Sequence, residues 1–317
     1  MTLNVASGQG DAVAAPQESE NLRTVPLRHY PQHVAALIVL VVLAWLVSEL
    51  ATNPNMQWSQ VVHFLTSPII LQGVLTTIQL TVMCMILGTF LGLVFAVMRM
   101  SDNRFLRTVS WYYVWFFRGT PVLVQLIFWY NLSLLFPRIG IGIPFTDIGV
   151  GAPTNSVVSP LLASILGLGL NVGAYMAEIV RGGILAIDRG QSEAAAALGM
   201  TRKRIMRRIV LPQAMRVILP PTGNQFIDLL KASSMVAFIA GGDLLTRTQQ
   251  VYAMNFQVVP LLVVASIWYL VLTSIATFGQ YFIERHYGRG EATRQARTLG
   301  AQLRRNLKPW RISKGNR

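Results

Sequence analysis

Residues 70–98 read ILQGVLTTIQLTVMCMILGTFLGLVFAVM, a run of 29 residues without a single charged side chain. A helix of about 20 apolar residues crosses the hydrocarbon core of a bilayer, so this run is long enough to span a membrane. Similar apolar runs recur on both sides of it. The sequence predicts membrane spans at Val34–Leu50, Ile70–Met98, Thr120–Phe136, Leu161–Leu185, Val217–Ile239 and Val259–Ile283.

The overall composition supports this interpretation. Of the 317 residues, 53% are hydrophobic and only 13% are charged, whereas about 25% are charged in a typical soluble domain. An ordinary soluble globular protein is therefore excluded. We predict an all-α polytopic membrane protein with about six transmembrane helices.

The positive charge is distributed unevenly along the chain. The net charge is +14, and 22 of the 27 Lys and Arg residues lie in the loop 99–107, the segment 186–216 and the two tails. Because cytoplasmic segments carry an excess of Lys and Arg, both termini are predicted to lie in the cytoplasm. Topology thus accounts for most of the charge, and we expect no nucleic-acid partner.

Residue types that carry catalysis or bind metals are scarce. Cys84 is the single cysteine and lies inside an apolar run, where it is expected to pack. The four histidines are scattered without metal-ligand spacing, and the chain contains neither HExxH nor the phosphate-binding pattern GxxxxGK[ST]. We therefore expect no metal, no cofactor and no catalytic residue on this chain.

The chain divides into four predicted parts. Residues 1–33 are polar and predict a disordered cytoplasmic tail. Residues 34–68 contain the first span and an outer interfacial helix, residues 69–285 form the main transmembrane core, and residues 286–317 form a basic cytoplasmic tail. Within the core, residues 137–160 predict a long outer loop without clear periodicity.

The cytoplasmic segment 190–212 reads GQSEAAAALGMTRKRIMRRIVLP. The alanines favour a helix up to Leu198, and Gly199 permits a sharp turn. A second helix is expected from about Thr201 and is predicted to stop near Pro212. The segment therefore predicts a short pair of helices with a glycine corner, although its charge alone would also suit an ordinary basic loop.

The spacing in this segment resembles the EAA loop of binding-protein-dependent ABC importer permeases. Residues 118–121, 174–183, 190–191 and 229–234 further resemble the polar amino-acid uptake branch of that family. The resemblance covers roughly residues 66–285, which would make the first span an N-terminal addition to a five-helix importer-permease core. The EAA positions are Glu193, Ala194, Ala195, Gly199, Ile209, Leu211 and Pro212.

The resemblance implies a set of partners and a location. In that family the EAA loop docks on cytoplasmic ABC ATPase subunits, which bind ATP and Mg and drive the transport. Glu193 would brace the corner through a nearby basic residue, and Gly199 would form it. A second permease subunit (identical or related), an extracytoplasmic solute-binding protein and membrane lipid would complete the environment, in the bacterial cytoplasmic (inner) membrane.

Polar residues inside the predicted spans suggest a substrate pathway, because they are costly in a membrane and usually face a cavity or a partner. Helical spacing places Asn171, Tyr175 and Glu178 on one face, followed by Arg181, and the spacing recurs further along the chain. A pocket with both charges would suit a zwitterion. Equally, each charge could simply neutralise its neighbour at i+3. In the predicted span Val217–Ile239, a second set of polar residues comprises Asn224, Asp228 and Lys231, which repeat this spacing, and Ser233 and Ser234, which follow them.

Two other functional classes fit the spans less well. An ion-coupled secondary amino-acid transporter or channel would not explain the EAA spacing. A membrane-embedded enzyme would have only Glu178 and Arg181 as candidate acid and base, and it would lack a nucleophile. The expected function is inward transport of a polar or charged amino acid, or of a close derivative such as an opine, and the sequence leaves the substrate open.

Overall fold

The structure is a computed structural model that describes residues 30–142 and 149–287. The predicted tails therefore lie almost entirely outside the described residues. By length and composition, four of the described helices could cross a membrane, and a bent pair of helices could make a fifth span. These elements occupy five of the six predicted spans, so the all-α polytopic fold is confirmed.

The first span is α1 (Tyr30–Thr52), which forms a unit separate from the other described helices. From Val34 to Val47 its side chains are apolar on every face, as suits a helix surrounded by lipid. The remaining described residues form the second unit.

The centre of the second unit is the packing of α3 (Pro68–Arg99) against α7 (Pro160–Leu185). Glycines on α3 allow close contact between the two helices. A Cβ atom added to Gly88 would lie 2.4 Å from Val172 Cγ1, and one added to Gly92 would lie 2.3 Å from Met176 Cβ. Close packing of small residues is therefore found at these two positions, as is common between membrane helices.

The predicted span Thr120–Phe136 is wrong as a single helix. The structure has α4 (Arg104–Gly119), then extended backbone at Thr120 and Pro121, then α5 (Val122–Tyr130). Nine residues make a helix of roughly 14 Å, which is too short to cross a bilayer. The predicted start is close to the observed one, since α5 begins directly after Pro121, but α5 ends at Tyr130 rather than at Phe136.

The predicted outer loop contains structure that the sequence pattern did not indicate. Strands β1 (Arg138–Gly142) and β2 (Gly149–Pro153) pair antiparallel, with Arg138 opposite Pro153. The short helix α6 (Thr154–Val157) follows. The backbone N–H of Thr154 donates to the Pro137 carbonyl at 3.0 Å, which closes the loop at its base.

The predicted helix stop near Pro212 is also wrong. After α8 (Arg189–Ala197) and α9 (Arg202–Ile205), a π-helical segment at residues 206–210 leads directly into α10 (Leu211–Ala232). Pro212 is the second residue of α10. Because the π-helical segment precedes α10 directly, the helical backbone continues through Pro212 rather than stopping there.

The last part of the chain is a broken span followed by a long helix. A 3-10 segment at residues 233–239 extends α10, and the backbone then breaks at residues 240–243, where Ala240 and Gly242 have positive φ angles of 53° and 82°. Helix α11 (Leu244–Asn255) resumes at an angle of 44°. Helix α12 (Val258–Tyr287) packs on α10, α11 and α2 (Trp58–Leu65).

Candidate coupling segment and transport pathway

The corner between α8 and α9 is formed mainly by backbone geometry. Gly199 has a φ angle of +77°, in the left-handed region that glycine adopts without strain. Its N–H donates to the Ala196 carbonyl at 2.9 Å, and the N–H of Met200 donates to the Ala195 carbonyl at 3.1 Å. This pair of bonds is the Schellman motif, which closes the end of α8. The predicted turn at Gly199 is confirmed.

Apolar side chains fix this corner to the transmembrane helices. Ala195, Ile205 and Val210 form a small buried cluster, against which Ile184 and Ile187 pack from the end of α7. A hydrogen bond of 2.6 Å from Gln213 to Gln191 ties α10 to α8 on the other side. The helix pair is therefore packed onto the transmembrane bundle.

The outward side of the corner is unusually exposed. Leu198 is 84% exposed, next to Gly199 at the tip. Glu193 is exposed as well, and it takes part in neither of the two ion pairs found among residues 30–142 and 149–287. In this chain the corner thus holds without the predicted brace from Glu193. Of the other EAA positions, Ala194, Leu211 and Pro212 are exposed and Ile209 is half-buried.

The predicted polar face of α7 meets the break between α4 and α5. The side-chain amide of Asn171 donates to the Phe117 carbonyl at 2.7 Å. The guanidinium carbon of Arg118 lies 5.0 Å from the centre of the Tyr175 ring, within the range of a cation–π contact. The sequence pattern did not place Arg118 on this face. A cation at the end of an apolar run was the available signal, but a snorkelling side chain gives the same signal.

Glu178 and Arg181 contact each other on the same helix. Arg181 Nη2 donates to Glu178 Oε2 at 2.5 Å, and Arg181 Nε donates to the same oxygen at 3.1 Å. Both side chains are partly exposed. Arg118 of α4 contacts the same helix at Tyr175. The polar face of α7 therefore has two cations and one carboxylate, which are groups for both ends of a zwitterion.

The second predicted set lies elsewhere, in a cavity of about 510 Å³ between α10 and α12. Asp228 and Lys231 line it and pair at 2.8 Å, with both side chains more than half exposed. Asn224 also lines it and accepts a hydrogen bond of 2.9 Å from Gln280. No residue of α7 lines this cavity, so the structure keeps the two predicted polar sets in separate places.

Gln280 and Glu284 also line the cavity, and the sequence analysis missed them. Gln280 Nε2 donates to Glu284 Oε1 at 2.7 Å. Their i, i+4 spacing near the end of an apolar span was the signal that could have identified them. By contrast, the hydroxyls of Ser233 and Ser234 donate to the backbone carbonyls of Leu230 and Lys231, where α10 ends.

Metal ligands are not gathered anywhere in the described part of the chain, where no group of three or more His, Cys, Asp or Glu side chains could hold an ion.

Membrane-spanning helices, paired charges inside them and an exposed helical corner together define a translocation subunit of a membrane transporter. Residues 88–289 match the family of binding-protein-dependent transport system inner membrane components. The chain belongs to this family and is therefore a permease subunit rather than an enzyme.

Two curated relatives show how far the similarity extends. The arginine transport system permease protein ArgU of Corynebacterium glutamicum is 44% identical over 302 residues, which cover 94% of this chain and 92% of the relative. The L-cystine transport system permease protein TcyB of Bacillus subtilis is 37% identical and is matched over 70% of this chain and 88% of its own length.

A solved structure supports the same assignment. The crystal structure of an amino acid ABC transporter with histidines contains a chain that is 34% identical to this one, with a TM-score of 0.60. The match covers 72% of this chain and 97% of that chain. A chain of the MetNI methionine ABC transporter is 20% identical with a TM-score of 0.53, which is a likeness of fold.

Proposed function

We propose that this chain is the transmembrane permease of an ABC importer that carries a polar or charged amino acid inward across the bacterial cytoplasmic membrane, with both termini in the cytoplasm. Arginine is the first candidate substrate. The relative ArgU, which matches nearly the whole chain, supports this choice.

The coupling segment would receive the force for transport from a partner. The exposed tip at Leu198 and Gly199 presents an apolar side chain that no other described residue covers, as a docking surface requires. ATP and Mg would bind to cytoplasmic ATPase subunits. Closure of these subunits would draw the corners of two permease subunits together and open the pathway to the outside, where a solute-binding protein delivers the substrate.

The polar face of α7 is the proposed contact for the substrate. Arg118 would attract the α-carboxylate, and Glu178 would attract the α-ammonium or a cationic side chain. The aromatic ring of Tyr175, more than a third exposed, offers a further surface for a cation. The cavity lined by Asp228 and Lys231, which pair with each other at 2.8 Å, is the second candidate contact.

Reconstitution tests this function. The chain would be co-expressed with the ATPase and the binding protein from its own gene neighbourhood and placed in proteoliposomes. Uptake of labelled arginine should then require ATP on the side of the membrane where the ATPase subunits lie. Unlabelled lysine, histidine, glutamine and cystine would be tested as competitors. Uptake driven by an ion gradient without ATP would instead establish a secondary transporter. ATP-dependent uptake of another amino acid alone would reject arginine but keep the importer.

A further inference from the structure

A second cavity, of about 360 Å³, lies where α3 ends and α4 begins. Its lining residues are Arg99 from α3 and Arg107, Thr108, Trp111 and Tyr112 from α4. The two helices are joined by a loop of only four residues, 100–103. The hydroxyl of Ser110 donates to the Phe95 carbonyl at 2.7 Å, which holds α4 against α3. The cavity is thus part of a fixed helix pair.

The cavity is positively charged and has an unused donor. Two guanidinium groups line it and no carboxylate does. Arg99 Nη1 is buried and has no hydrogen-bond partner. Neither arginine takes part in the ion pairs of the described residues, and the carboxylate of Glu178 is already paired with Arg181. A buried cationic donor without a partner is costly, so an anionic acceptor is expected at this position.

The surroundings indicate what kind of anion it is. Trp111 and Tyr112 are 44% and 57% exposed, and Trp115 stacks parallel to Trp111 with the ring centres 6.0 Å apart. Exposed aromatic side chains of this kind are enriched where a membrane protein meets the lipid headgroups. A soluble anion would make no use of such a surface, whereas a phospholipid could place its phosphate at the arginines and its acyl chains along the rings.

We propose that this cavity binds the phosphodiester headgroup of an anionic phospholipid. Arg99 and Arg107 contact the phosphate oxygens, and the Thr108 hydroxyl supplies a neutral donor. The bound lipid occupies the junction of α3 and α4, and α3 packs directly on α7. Its lining residues belong to neither candidate substrate site, and the proposal does not depend on which substrate is carried.

Native mass spectrometry of the full-length chain, purified with its partner subunits in a mild detergent, tests the proposal. Phosphatidylglycerol should bind more tightly than phosphatidylcholine of the same chain length. Arg107→Gln and Arg99→Gln should each weaken phosphatidylglycerol binding about fivefold, the effect of about 1 kcal/mol per basic residue at an anionic surface. The matched control is Arg104→Gln, an exposed arginine on the same helix that does not line the cavity.

Several outcomes would overturn the proposal. Equal binding of the two lipids, or an equal loss in Arg104→Gln and Arg107→Gln, would show that the cavity does not select an anionic lipid. Displacement of phosphatidylglycerol by glycerol phosphate at similar concentrations would show a site for a soluble anion. If Arg99→Gln does not fold, a photocrosslinker at Tyr112 decides instead: labelling of lipid is expected, and labelling of a second protein subunit would contradict the lipid site.

Discussion

Single glycines decide how closely the two central helices approach. At Gly92, an added methyl group would lie 2.3 Å from Met176 Cβ and 2.9 Å from the backbone of the same residue, so Gly92→Ala should push α3 and α7 apart. The expected cost is about 1–3 kcal/mol, as for other overpacked cores. Thermal unfolding of the purified protein measures it.

The matched control for that substitution lies on α7. Gly182 is also helical, but an added Cβ would meet nothing within 4 Å. Gly182→Ala should therefore keep or raise the unfolding temperature, since alanine is the better helix former by about 1 kcal/mol. Equal effects of the two substitutions would show that Gly92 is not held at a close contact.

The ion pair on α7 supports a second prediction at the residue scale. If Glu178 contacts the substrate, Glu178→Gln should raise the KM for uptake by about 10- to 150-fold, which corresponds to the loss of about 1.5 to 3 kcal/mol for a hydrogen bond to a charged group. The change keeps the shape of the side chain and removes its charge.

The double variant distinguishes this role from simple neutralisation of Arg181. The two residues contact each other directly, so the variants Glu178→Gln and Arg181→Gln and their combination form a cycle. Uptake would be normalised to the amount of protein in the membrane. Full recovery in the double variant would remove Glu178 from the substrate pathway, whereas a persistent loss would keep it there.

At the scale of elements, the coupling corner depends on one backbone angle. Space is not limiting at Gly199, because an added Cβ would meet nothing within 4 Å. Its positive φ angle is limiting, and β-branched residues are strained there. Gly199→Val should therefore leave the protein inserted but uncouple ATP hydrolysis from uptake, measured together in proteoliposomes of the whole complex.

Asparagine provides the control at this corner, because it tolerates the left-handed region better than other side chains. Gly199→Asn should keep most of the coupling. If Gly199→Val couples as well as the unaltered protein does, the corner does not transmit force through this conformation.

Elements with one clear signal could be predicted from the sequence, and elements with two competing signals could not. The apolar run at residues 70–98 has one interpretation, and α3 contains all of it. Pro121 and Pro212 show the difficulty. Proline can end a helix or occupy its first turn, and the surrounding composition does not distinguish the two. Pro121 directly precedes α5, where the sequence predicts the start of a span, whereas Pro212 lies inside a helical stretch that the sequence predicts to stop there.

The candidate site shows a similar division. The turn at Gly199 follows from a local conformational rule, and the structure has it. The contact between Arg118 and Tyr175 joins two helices that are distant in the sequence, and a single sequence carries no information on such a pairing. For the same reason, the partner of Asn171 could not be foreseen.

At the scale of the whole molecule, the predicted orientation can be tested by labelling. In a Cys84→Ala background, Ser156→Cys in the outer loop should react with an impermeant thiol reagent added to intact cells. Thr201→Cys in the coupling segment should react only after the membrane is permeabilised. Ser156 and Thr201 are both exposed, so access to the reagent depends on the side of the membrane alone. The reverse pattern would place both termini outside.

The helical stretch from Arg202 to Ile239 continues without a gap through a π segment and three prolines, Pro212, Pro220 and Pro221. At about 1.5 Å per residue its 38 residues extend roughly 57 Å, nearly twice the thickness of the hydrocarbon core. A small tilt of this stretch about its middle displaces its two ends in opposite directions. When the coupling corner moves toward the centre of the transporter, the break near Ala240, at the opposite end of the stretch and on the far side of the bilayer, would move away from that centre.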